Sequence, residues 1–154
     1  MKNDTRAIIA IIITYITGNF LLLFNKAIYW DTWVWLPIIK EGNYKILWDA
    51  LYQSKRFTAY YLYRVSGFFD NPVLFFKIMA FVCCLLAGLL LYGILRKKLS
   101  LRIDRAFFIS AFFVLTPVFL VRIDSSVLQH SFNIMLFFLA ALVYFIAEKN
   151  KNRF

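Results

Sequence analysis

Asp31 stands between two indoles, in the run Trp30-Asp31-Thr32-Trp33, just past the first long apolar stretch of the chain. A carboxylate can take a proton from a hydroxyl as that oxygen attacks an electrophilic carbon. Asp124, Arg56, Arg64 and His130 are the other groups whose types suit such a reaction. A guanidinium grips phosphate through two parallel hydrogen bonds, and an imidazole carries a proton near neutral pH. Trp33 can wall a binding pocket or mark a membrane surface, the commoner use of a Trp beside an apolar span. Each residue also has a plainer reading. Asp31 sits where a helix N-cap is wanted, and Asp124 can pair with Arg122. His130 can satisfy a polar neighbour, and Arg56 and Arg64 can touch lipid headgroups.

The elements that must position these groups are apolar. Of 154 residues, 62% are hydrophobic and 20% aromatic, with 18 Phe. A soluble domain of this length has no interior large enough for so much apolar surface. Four separate apolar runs, residues 7–24, 72–95, 106–121 and 127–147, predict an all-α polytopic membrane protein with four transmembrane helices. Residues 1–154 read as a single membrane domain, and the first run as an uncleaved anchor, since no small-x-small cleavage site follows it. The net charge of +10 comes from basic clusters that abut the spans, which points to orientation and anionic lipid and away from nucleic acid. Cys83 and Cys84 are adjacent on a helix, poorly placed for a mutual disulfide, and the single His rules out a Cys/His zinc site. No cofactor is expected, and the need for a divalent metal stays open.

The connection 25–71 is too rich in aromatics to be a flexible linker and predicts interfacial helices. One runs from Asp31 toward Lys40 and contains Pro37; Glu41-Gly42-Asn43 makes a turn. A second covers Tyr44–Gln53, with Lys45, Asp49 and Gln53 on one face and Leu47, Trp48 and Leu51 elsewhere. A third covers 57–67. Asn71 then caps a helix whose first residue is Pro72. Lys77, just over one turn in, is expected to snorkel to the interface, and Thr116-Pro117 to bend or end the third span. Asn19, with Thr14, Thr17 and Gly18, suits helix packing better than a polar cavity. Ten of the 18 Lys and Arg lie in the amino end, the 96–105 link and the tail. Both termini are therefore expected in the cytoplasm of a cell-membrane protein. Loop 25–71, Asp124 and His130 then share the outer face.

Carboxylates and arginines beside a bilayer suit the handling of a lipid-linked phosphate. Tyr29-Trp30-Asp31-Thr32-Trp33, Lys40-Glu41-Gly42-Asn43, Lys55-Arg56-Phe57 and Asp70-Asn71-Pro72, strung between two spans, form a pattern that resembles the amino-terminal part of the GT-C superfamily. Its members are polytopic glycosyltransferases that use polyprenyl-phosphate-linked sugars, protein mannosyltransferases among them. The resemblance covers about residues 7–125 and implies an essential acid in the first outer loop, a role that falls on Asp31. It implies a further acid in the next outer turn, Asp124, and an Arg after the interfacial helices, Arg56. The family often has two adjacent acids where this chain has Asp31-Thr32, and eight or more spans where four are read here. The implied protein is thus such a transferase, or a truncated or split amino-terminal half of one that needs a partner membrane subunit. The alternative is a non-catalytic accessory or flippase-like subunit of surface-glycan assembly. A transporter ranks last, because the spans lack mid-span charges.

Overall fold

The computed structural model describes residues 2–24, 32–116 and 128–151. Among these residues the chain is all-helical, with no strand. Helix α1 covers Lys2–Asn19 and tightens into a 3-10 turn at Phe20–Phe24. Three short helices follow: α2 (Thr32–Lys40), α3 (Tyr44–Gln53) and α4 (Phe57–Ser66). Then come the long α5 (Pro72–Lys97), α6 (Ile103–Leu115) and α7 (Leu128–Lys151).

The boundaries have local causes. Asn71 accepts a hydrogen bond from the Leu74 N–H at 3.1 Å and Pro72 opens the helix, so α5 begins where the cap chemistry puts it. The first helix is already formed ahead of the apolar run, where Asp4 suits the positive end of the helix dipole. Helix α6 begins at Ile103 and stops at Leu115, earlier than the end of the apolar run. Thr116 has φ −59° and ψ 124°, extended as the residue before a proline must be, and its hydroxyl folds back on the Phe112 carbonyl at 2.6 Å. Thirteen residues give a rod of roughly 20 Å, short of the hydrocarbon thickness.

Helix α5 is the mast of the fold, packed along α1, α6 and α7. Its two ends belong to different cores. At the Pro72 end, Phe76 and Ala80 meet Leu47 and Leu51 of α3, Tyr60 and Tyr63 of α4, and Leu128 of α7. At the Lys97 end, Cys84, Tyr92 and Leu95 meet Ile11 and Tyr15 of α1 and Val114 of α6. Helices approach closely through small residues: a Cβ on Gly88 would lie 2.2 Å from the Val114 Cγ1, and one on Gly18 2.8 Å from the Leu115 Cδ2. Cys83 and Cys84 are buried and not disulfide-bonded, and Cys84 bonds the Ser131 hydroxyl of α7 at 3.5 Å. Asn19 is buried and donates to the Tyr15 carbonyl at 3.0 Å, a packing role within its own helix.

Among the described residues, two helices are long and apolar enough to cross a membrane, Pro72–Lys97 and Leu128–Glu148. They differ in burial. In the most apolar 18-residue stretch, 44% of α5 is buried but only 6% of α7. Phe137, Val143, Tyr144 and Ile146 of α7 are exposed, as are Phe108 and Phe112 of α6 and Ile9, Ile13 and Ile16 of α1. An apolar belt of this extent suits lipid far better than water.

Candidate functional site

Residues 32–71 fold into a platform of three short helices, α2, α3 and α4. After α2, the chain reverses at Gly42, whose φ of +69° is the left-handed value that a helix C-terminal turn requires. The Glu41, Gly42 and Asn43 N–H groups bond the Pro37, Ile39 and Ile38 carbonyls at 2.9–3.1 Å, closing the turn. Proline 37 sits inside α2 without ending it. In α3, Leu47 and Leu51 are buried, whereas Lys45, Asp49 and Gln53 are exposed, as the spacing predicts.

The second turn is strained. Lys55 has φ 58°, a conformation that costs a residue with a Cβ about 1 kcal/mol or more. The Arg56 N–H reaches back to the Leu51 carbonyl at 2.8 Å, and Arg56 becomes the residue before α4. Nothing in the sequence marks this strain, since Lys is not a turn residue. Arg64 lies eight positions further along α4, roughly 12 Å on. Its guanidinium stands over the Tyr44 ring, 6.0 Å from the centroid. A Cβ on Gly67 would lie 2.1 Å from the Tyr44 hydroxyl, so this glycine makes room for that ring. Both arginine side chains are exposed.

Aromatic pairs hold the platform helices together and join them to the mast. Trp48 meets Tyr60 edge-on at 4.8 Å, Tyr63 meets Phe76 edge-on at 5.3 Å, and Trp35 stacks on Tyr63 at 6.3 Å. The start of α7 closes the same end of the bundle, where Leu128 and Gln129 adjoin Ala59, Leu62 and Tyr63. His130, the next residue, is exposed. Arg56, Arg64 and His130 thus share one end of the molecule. Asp31 and Asp124 lie outside the described residues, and so does the side chain of Trp33. Asp31 immediately precedes α2 in the chain.

Lys77 is the residue whose setting differs most from expectation. It does not snorkel: it is 5% exposed, on the buried side of α5, one residue from Phe76. A buried ammonium persists only with partners, and this one has an interaction partner. Its burial follows from the packing of neighbouring helices on α5, which the local sequence does not contain.

Charge dominates the opposite end. Asp4 of α1 accepts from the Arg96 guanidinium at 2.6 Å and from the Tyr92 hydroxyl at 2.9 Å. The Arg96 hydrogen bond, with Tyr92 second, holds the Asp4 carboxyl below the usual carboxylate range. Arg96 also donates to the Leu101 carbonyl, and Lys98 to the Phe145 carbonyl of α7.

No family model matches the chain, and no curated protein or solved structure compared with it matches either.

Proposed function

We propose that this chain is a four-span membrane protein with both termini in the cytoplasm, and that it transfers a sugar from a polyprenyl-phosphate donor at the outer membrane face in the manner of GT-C glycosyltransferases, as a whole enzyme or as the amino-terminal part of one. The observation that carries the reading is the platform: three short aromatic helices directly after Asp31, seated on the Pro72 end of α5, with Arg56 and Arg64 exposed on it. Exposed apolar faces on α1, α6 and α7 support the membrane setting.

In this reading Asp31 is the general base. Its carboxylate takes the proton of the acceptor hydroxyl while that oxygen bonds the anomeric carbon and the polyprenyl phosphate departs with the electron pair. Arg56 and Arg64 bind the phosphate and offset the charge that collects on it. Trp33 walls the sugar, and Asp124 and His130 contact the substrate from the next outer turn and the start of α7. The test is sugar transfer in membranes that carry Asp31→Asn or Asp31→Glu. Asp31→Asn is expected to cut transfer about 10²–10⁴-fold at unchanged protein level, the usual worth of a general base. Asp31→Glu is expected to retain part of it. Full transfer by Asp31→Asn removes this residue from the chemistry and favours an accessory role for the chain.

A further inference from the structure

The Lys97 end of the bundle holds a cleft that the proposed transfer does not use. Its volume is about 790 Å³, within the ordinary range of ligand pockets, and it opens between α1 and α6. Its rim is basic. Arg6 comes from α1, Arg96 from α5, and Arg102 from the residue before α6. These three arginines face one carboxylate of the lining, Asp104. Below the rim the walls are apolar: Ala7 and Ala10 on α1, Phe107 and Phe108 on α6.

The three arginines do different work. Arg96 is committed to Asp4 and to the Leu101 carbonyl, so its charge is already matched within the protein. The Arg102 pair with Asp104, at 3.2 Å, leaves both side chains 76% and 52% exposed, a pair worth little. Arg6 is exposed and forms no ion pair among the described residues. Arg6 and Arg102 are thus placed at the mouth with their charge available. The first helical positions on the other wall are open as well, because Arg102 makes no side-chain cap for α6.

We propose that this cleft binds one anionic phospholipid, its phosphate held by Arg6 and Arg102 and an acyl chain laid between Ala7, Ala10 and the two phenylalanines. The match is one of charge and shape together. A free phosphate leaves the phenylalanine wall empty, and a zwitterionic lipid brings an ammonium that offsets its phosphate and is repelled by the two guanidinium groups. Small side chains at Ala7 and Ala10, three positions apart on one helix face, keep the slot open. The inference rests on the membrane reading of the chain and is independent of glycosyl transfer.

The test uses the full chain, passed through vesicles of phosphatidylcholine alone or mixed with phosphatidylglycerol, and native mass spectrometry of the lipid retained. Phosphatidylglycerol is expected to be retained about tenfold or more over phosphatidylcholine, with soluble glycerol phosphate failing to displace it. Arg6→Gln combined with Arg102→Gln changes only exposed side chains and is expected to abolish the preference. Ala10→Phe leaves the charge and fills the slot, and is expected to lose retention; where it does not fold, the arginine pair alone decides. Equal retention of the two lipids overturns the proposal. So does a double arginine variant that retains phosphatidylglycerol like the parent, and so does displacement by glycerol phosphate, which makes this a phosphate site.

Discussion

Two donors converge on the Asp4 carboxylate, one charged and one neutral, and the pairing ties the first turn of α1 to the last turns of α5. Because the Arg96 bond lowers the Asp4 pKa in the folded state from its ordinary 3.8, protonation favours unfolding. The contribution is complete above that unfolded value and disappears as pH falls through the lower folded one. Asp4→Asn is therefore expected to unfold at lower temperature than the parent at neutral pH, with the gap closing below about pH 3.8. Thermal unfolding of both proteins in detergent across that range checks it, and an unchanging gap speaks against the pairing. With side chains 25% and 34% exposed, Arg96 and Asp4 are partly wet, so added salt should narrow the gap as well. Toward the other end of α5, Lys77 is buried, and it too has an interaction partner.

Among the elements, α5 carries the most consequence, and Gly88 is its tightest contact. An alanine there gains helix propensity worth about 1 kcal/mol, yet its Cβ falls 2.2 Å from the stiff Val114 side chain, and overpacking costs about 1–3 kcal/mol. Gly88→Ala is accordingly expected to destabilise the protein by up to about 2 kcal/mol. Val114→Ala in the same chain should recover most of the loss, a coupling that a double-mutant cycle reads directly. Much at this scale was legible in the sequence. Asn71-Pro72, Gly42 and the exposed face of Tyr44–Gln53 fix boundaries by local chemistry, and the structure has them where the residues indicate. The role of Gly88 was not legible, because α5 is apolar on every side and no periodicity tells which face meets α6. The depth of Lys77 escaped for the same reason. As for the site, the sequence indicates the platform that carries Arg56 and Arg64, but not the left-handed Lys55 that positions the first of them.

At the scale of the whole molecule, two cores sit at opposite ends of one mast, and an apolar belt runs between them. One end carries the aromatic platform, the other the arginines of the cleft. That polarity fits the tendency of basic residues to stay on the cytoplasmic side, which the proposed topology assigns to the cleft end. In the proposed function it decides everything, since a platform in the cytosol cannot meet a donor on the outer leaflet. The most direct measurement is labelling of intact cells with a membrane-impermeant maleimide. Ser54→Cys, exposed in the turn after α3, reports the platform, and Ser100→Cys, exposed between α5 and α6, reports the other end. The parent, whose Cys83 and Cys84 are buried, gives the background. The proposed topology predicts that Ser54→Cys labels from outside and that Ser100→Cys labels only after the cells are opened; the reverse pattern contradicts it.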